Sequence, residues 1–268
     1  MLSPYGFGIR RRSGAGASSF VPSSYFTGGT AGPTYDFNSS ANILNGSATP
    51  ATNGQTIATV KDSSAGSFDA TQATDANRPT LVTSYLNGAS VALSDSTDLF
   101  DTIAGLNTLT NAANSICVVA VVRPIDGTVN HTIWEGYDNT FTNLRLYCGF
   151  TGLQPTISYN KDGGTYGNVK FGTALTADTW NVLIYHLDFL NGQTGIWANT
   201  AANIAVGAAG GTTVAGAMNA TNGTGSSLMR QSKMRLAIAY PHKNAFPDAT
   251  QRGNLFAAAK SAYNLTTY

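Results

Sequence analysis

The sequence predicts an all-β fold, a sandwich or barrel of short antiparallel strands with one helix near the C-terminal end. Three observations carry this prediction. Charged residues are 11% of the chain, glycine fills 29 positions and glutamate occurs once, at Glu135; this suits short strands joined by turns and leaves little material for solvent-facing helices. Apolar and β-branched runs recur at short spacing between clusters of Gly, Asn, Asp and Pro. One run, ICVVAVV at 116–122, is apolar throughout, the pattern of a central strand buried on both faces. A length of 268 residues suits one large β domain.

Residues 1–30 combine Gly, Ser and Pro with isolated aromatics and hold Arg10, Arg11 and Arg12 with no acidic residue. Such a segment buries too little by itself to offset its ordering entropy, so it reads as an arm, either a tail or a piece ordered by a neighbour. Tyr5, Phe7 and Ile9 alternate, as an added strand filling pockets on a partner would, with the arginines steering association through charge. Removal of 1–30 is expected to release a folded domain over 31–268.

Residues 33–58 are turn-rich and are expected to hold an edge strand. From 58 to 93 the signals run strand, turn, extended arm, strand, hairpin, strand. Arg78 precedes Pro79 and is thereby kept out of the helical region, and Asn87-Gly88 tolerates the positive φ of a type I′ hairpin turn. Apolar residues Leu99, Ile103 and Leu106 suggest a short helical turn or a loop across the sheet. Strands are expected at 133–134, 144–150, 156–159, 168–171 and 180–188, and a hairpin returns through 195–199. The Gly, Ala and Thr of 201–227 predict a loop with at most a weak strand near Val214. A strand over 232–240 leads to a helix near 248–263, with Asp248 and Gln251 spaced for a capping box and Leu255, Phe256, Ala259 and Tyr263 on one face.

The string DSSAGSFDATQATDANRPTL followed by NGASVAL resembles the opening of laminin-G-like domains of the concanavalin A-like lectin and glucanase superfamily, of the kind found in bacteriophage virion structural proteins. DTWNVLIY at 178–185 with the hairpin that follows, and SKMRLAIAY at 232–240 with its helix, are similar to later parts of such domains. The chain departs from the pattern at Asn199-Thr200, where Asn-Gly is usual. The resemblance implies a jelly-roll sandwich of two antiparallel sheets.

Little catalytic chemistry is visible. Concanavalin A-like glycosidases place paired glutamates on one strand, and a single Glu135 cannot supply both a nucleophile and an acid; it reads as a loop carboxylate at a strand end, paired with a nearby arginine. His131, His186 and His242 lie far apart in sequence with no H-E-x-x-H or Cys-x-x-Cys, which argues against zinc, and no G-x-S-x-G elbow supports a serine nucleophile. EGYDN at 135–139 matches a lectin calcium site only loosely, and Gly163-Gly164 is a turn rather than a phosphate cradle. No cofactor and no metal are expected. Tyr137, Asp138, Asn139 and Tyr166 are the candidate glycan-binding residues, although the same types are common in plain turns.

A net charge of +1 gives no general attraction to nucleic acid, and no 18-residue apolar run or apolar leader is present, so neither nucleic acid nor membrane is expected as a partner. Cys117 and Cys148 fall in strands and are expected to be reduced, buried thiols. The resemblance implies a non-enzymatic virion structural protein, a capsid decoration or minor head protein anchored to other virion proteins through the arm, assembled in the bacterial cytoplasm as a homo-oligomer. The alternative is a tail-fibre or receptor-binding lectin for host surface glycans.

Overall fold

The order of apolar runs becomes two large antiparallel sheets packed face to face, with a small third sheet beside them. The computed structural model describes residues 20–26, 32–64, 66–103, 115–128, 130–137, 144–161, 167–171, 174–188, 193–200, 202, 205–208, 225–230, 232–243 and 247–265. The arm residues Tyr5, Phe7, Ile9, Arg10, Arg11 and Arg12 lie outside them.

The first third of the chain supplies β1 (Tyr35–Asp36), β2 (Ile43–Leu44), β3 (Thr59–Val60), β4 (Ala70–Thr71), β5 (Thr80–Leu86), β6 (Ala89–Asp95) and β7 (Thr102–Ile103). The signals of 58–93 appear in the expected order. Asp62 breaks the chain after β3 by accepting the amides of Thr34 and Ser64, each at 2.8 Å. Arg78 is extended, and Asn87 and Gly88 have φ of 51° and 94° in the hairpin between β5 and β6. The pairing β2-β3-β4-β7 makes the third sheet, which the sequence did not suggest. It corrects the expectation of a loop or helical turn at the start of 99–110: Phe100 is fully buried and exchanges backbone hydrogen bonds with Leu228, which draws the following residues into extended pairing with β4.

The remainder supplies β8 (Ser115–Pro124), β9 (His131–Tyr137), β10 (Leu144–Thr151), β11 (Gln154–Lys161), β12 (Gly167–Phe171), β13 (Asn181–Asp188), β14 (Gln193–Ala198), β15 (Ala205–Ala208), β16 (Gly225–Leu228), β17 (Lys233–Lys243) and the helix α1 (Ala249–Tyr263). One sheet has the order β14-β13-β8-β17-β6-β5, with β1 also on β17; the other has the order β15-β12-β11-β10-β9-β16. The loop expected across 201–227 is bounded by strands instead, and Val214 lies outside the described residues. β15 and β16 are the two edges of their sheet, where backbone pairing to one neighbour suffices and small side chains do no harm. β17 also runs past its expected end, through Pro241, where β8 is its only strand neighbour among the described residues, an edge position that tolerates proline.

ICVVAVV is the middle of β8, central as predicted. Val118, Ala120 and Val122 face the second sheet and join a core with Tyr185, Trp134, Leu146 and Phe150. Tyr185 donates its hydroxyl to the Gly149 carbonyl of the opposite sheet at 2.7 Å, so this buried hydroxyl is satisfied across the layers. Cys117, Val119 and Val121 face outward and are covered by Leu255, Phe256, Ala259 and Tyr263 of α1. The predicted capping box is present, each partner bonded at 2.8 Å, and Asn264 closes the helix in the left-handed conformation. Cys117 and Cys148 are free and buried, and burial raises both thiols' pKa values.

Register brings together what sequence separation hid. His186 and His242 flank Cys117 on the two strands beside β8, so the three histidines are not all remote from one another. Among the described residues no group of three His, Cys, Asp or Glu is placed to hold a metal ion. His131 is occupied elsewhere: its Nε2 donates to the Asp126 carbonyl at 2.6 Å and its Nδ1 accepts from the Lys233 amide at 3.0 Å. His242 is fully buried between Tyr240 and Phe26, and neither ring nitrogen has a hydrogen-bond partner among the described residues.

Residues 20–26 pack on the chain's own helix. Phe20 stacks on Tyr25 at 6.1 Å and meets Tyr263 edge-on at 6.2 Å, while Phe26 sits 4.3 Å from the His242 ring. A deletion that extends through Phe26 should therefore lose on the order of 3 kcal/mol relative to one ending at residue 19. Urea denaturation of the two truncations measures the difference.

Acid should weaken the fold through the buried imidazoles. Burial lowers the pKa of His186 from 6.5 to about 4 and that of His242 from 6.5 to about 3. The unfolded chain takes up these protons below pH 6.5 and the folded chain does not, so their contribution is complete above 6.5 and is lost as pH falls toward the folded values. Each histidine removes up to about 1.4 kcal/mol per pH unit in that window. Asp98, pushed up to about 6 by burial and by the neighbouring Asp95 charge, works in the opposite sense. The test is His242→Phe: denaturation across pH should show its stability falling less steeply than wild type below pH ~6.

Candidate functional site

Of the four residues the sequence nominated for glycan binding, the described structure contains Tyr137; Asp138, Asn139 and Tyr166 lie outside it. Tyr137 ends β9, and its hydroxyl is engaged with the Asp101 carbonyl and Oδ1, each at 3.3 Å. Burial first, then the Asp101 and Glu135 charges, push its pKa up to about 12.

Glu135 lies inside β9 rather than at a strand end, and it is fully buried. Its Oε1 accepts from Ser227 at 2.8 Å and from Arg230 at 2.9 Å, the arginine partner that the sequence reading expected. Burial disfavours the charge on Arg230, but the Glu135 hydrogen bond and charge outweigh it and raise the arginine's pKa. A carboxylate so enclosed and so paired holds β9 to the segment after β16; it does not face a substrate.

A second cluster lies on the outer face of the seven-stranded sheet, beyond the end of α1. The apolar run of β8 ends in Arg123, which stands directly opposite Arg235 of β17. Like charges opposed on a ladder repel, so this register needs a counterion and a reason. Asp178 supplies the counterion: Oδ2 lies 2.6 Å from Arg123 Nη2, and Oδ1 lies 3.2 Å from Arg235 Nη1. It reaches both from the left-handed conformation, φ 57°, which aspartate tolerates better than most residues. The Arg123 hydrogen bond, reinforced by the charges of both arginines, holds its carboxyl below the usual carboxylate range.

Two aromatic side chains complete the cluster. β5 is bulged between Val82 and Leu86, with Ser84 at φ 54°, and the bulge turns Tyr85 over the guanidinium pair. The Tyr85 ring lies 4.9 Å from Arg235 Cζ and 5.7 Å from Arg123 Cζ, and its hydroxyl accepts from Arg123 Nη1 at 2.9 Å. Trp180 meets Tyr85 at 6.5 Å and 63°. Asn87, at the hairpin tip, donates its amide to the carbonyls of Tyr263 and Asn264, which ties the hairpin to the end of α1. Together these elements bound an open cleft of 390 Å³ lined by Tyr85, Arg123, Asp178, Trp180, Asn264 and their neighbours.

The sequence reading missed this cleft. It singled out Asp178 and Trp180 as the opening of a hairpin, and the arginine that ends ICVVAVV was the signal it passed over. Chemically the cleft offers an aromatic face, guanidinium donors and an ionised carboxylate acceptor, which is equipment for holding a polar ring. Asp178 stays deprotonated and bridged, so it supplies neither a general acid nor a free nucleophile.

No protein-family model matches the sequence, and no curated protein is similar to it. Solved structures are. A mutant Trypanosoma rangeli sialidase displaying trans-sialidase activity aligns over 91% of this chain and 34% of its own, with TM-score 0.52 and 8% identity. Domain 4 of AbnA, a GH43 extracellular arabinanase from Geobacillus stearothermophilus in complex with arabinotriose, aligns over 84% of this chain and 98% of its own, with TM-score 0.46 and 12% identity. The binding domain of botulinum neurotoxin DC in complex with SialylT aligns over 64% of this chain and 40% of its own, with TM-score 0.43 and 11% identity. The chain thus spans well under two thirds of the sialidase and of the toxin domain. At 8% identity the sialidase match shows a shared fold, the all-β sandwich, and no more.

The enclosed Glu135–Arg230 pair predicts an asymmetry. Arg230→Ala leaves a buried carboxylate without its guanidinium and should cost on the order of 3 to 5 kcal/mol, whereas Glu135→Gln keeps an acceptor for Ser227 and Arg230 and should cost less. Chemical denaturation of the two variants makes the comparison.

Proposed function

We propose that the chain is a non-catalytic glycan-binding β sandwich whose binding site is the Tyr85–Trp180 cleft. The observation that carries this reading is the combination of two aromatic rings with Arg123 and Asp178 in one open cleft on a sheet face, with Arg235 adjoining it through Asp178 and Tyr85. An aromatic face packs against the apolar side of a sugar ring while charged and amide groups engage its hydroxyls. The single glutamate, buried in its ion pair, supports binding rather than hydrolysis by the paired glutamates that concanavalin A-like glycosidases use. This favours the receptor-binding lectin over the capsid decoration protein implied by the sequence resemblance. Membership in the concanavalin A-like lectins, a place on a bacteriophage virion reached through Tyr5, Phe7, Ile9 and Arg10 to Arg12, assembly as a homo-oligomer, and a contribution of Tyr137, Asp138, Asn139 and Tyr166 to sugar contact remain parts of the proposal that rest on sequence.

A glycan array probed with the full chain tests the reading. Specific, saturable binding is expected, and Trp180→Ala or Tyr85→Ala should weaken it ~10-fold or more with the fold intact by circular dichroism. Binding that survives both substitutions undiminished would move the site elsewhere on the sandwich, and an array without specific signal would remove the function.

A further inference from the structure

The charge balance of the cleft points to the kind of sugar it takes. Two guanidinium groups share one carboxylate, and each Asp178 oxygen is spent on one of them. Both arginine side chains keep about a fifth of their surface exposed, at 20% and 21%. Arg123 uses Nη1 for Tyr85 and Nη2 for Asp178, whereas the hydrogen bonds of Arg235 use Nη1 alone. The Nε–H groups of Arg123 and Arg235 are buried with no acceptor among the described residues. Those buried atoms are closed to a ligand, but two guanidinium groups on one carboxylate leave the cluster with one positive charge uncompensated among the described residues. Among the described residues no second carboxylate lines the cleft to balance it. Tyr85 offsets part of the repulsion through its ring face, but a π face does not supply a negative charge.

We infer that the cleft takes an acidic sugar, with the carboxylate of a uronate-type residue beside Arg123 and toward Arg235, which adjoins the cleft behind Asp178, and the pyranose ring against Trp180. The inference rests on the glycan-binding reading above and narrows it to a ligand class. A carboxylate takes a charge-assisted hydrogen bond from the exposed part of a guanidinium and complements its charge, which a neutral hydroxymethyl group at the same ring position does not do. Asp178 then acts as a positioning residue: by bridging the two arginines it orients both toward the ligand and limits their mutual repulsion. The arrangement also explains a register in which two arginines face each other on neighbouring strands, which costs stability unless the site uses it.

Oligomers of galacturonate, glucuronate and mannuronate, each set beside the same oligomer with its carboxyls reduced to hydroxymethyl groups, separate the possibilities by calorimetry on the full chain. At least one acidic oligomer should bind ~10-fold or more tightly than its reduced form, the gap narrowing as salt is raised. Arg235→Gln should abolish that preference and Arg235→Lys should retain part of it, with the circular dichroism of both variants unchanged, which separates loss of charge from loss of fold. Equal binding of acidic and reduced oligomers overturns the inference and leaves the glycan-binding reading in place. Equal binding of polyglutamate also overturns it, since the cleft then reads charge without sugar. Binding of none of the oligomers, acidic or reduced, overturns the sugar site itself and this inference with it.

Discussion

The constraint on which the rest of the molecule depends is the burial of β8 on both faces. Its inward residues, Val118, Ala120 and Val122, are covered by the second sheet, and its outward residues, Cys117, Val119 and Val121, need a second cover. Helix α1 supplies that cover, held in place by its capping box at one end and by Asn87 at the other. A 15-residue helix is long enough for only part of the sheet, and the apolar run stops where the helix stops. Arg123 begins where cover ends, so the cleft is a consequence of how far the helix reaches.

Two carboxylate–arginine arrangements in this chain use the same chemistry to opposite ends. Glu135 is wholly enclosed, bonded to Ser227 and Arg230, and works as an internal fastener whose loss on either side would strand a charge. Asp178 is half exposed, with 53% of its side chain accessible, and spans two arginines that are themselves reachable from outside. Exposure, not residue type, separates the structural pair from the one available to a ligand. The sole glutamate, which residue-type reasoning would choose first as a reactive group, is the one the fold has put out of reach.

Much of the fold was legible because local patterns carried it. The Asn87-Gly88 turn, the Asp248–Gln251 box and the unbroken ICVVAVV run are each decided by a few neighbouring residues, and each appears as read. The small sheet of two-residue strands was not legible, since Ala70-Thr71 and Thr102-Ile103 are too short to show a period and pair only because Phe100 is fastened to Leu228. The edge strands at Ala205–Ala208 and Gly225–Leu228 escaped for the opposite reason: they are made of residues with little strand propensity, and their backbones pair with β12 and β9. The cleft was hidden because its residues come from β5, β8, the entry to β13 and β17, and only the register of β8 against β17 sets Arg123 facing Arg235. The same holds for His186 and His242, distant in sequence and side by side across Cys117.

The seating of residues 20–26 on α1 has a mechanical consequence. Tension applied to the chain ahead of Phe20 does not reach the sheets directly; it is met first by the rings of Phe20 and Phe26, wedged against Tyr263, Tyr240 and His242. From there the load passes to the helix and to the last residues of β17, which pair with β8. A tether leaving the protein at this point is therefore anchored by side chains to α1 and to the last residues of β17, so that pulling loads interdigitated rings before it can unzip a strand.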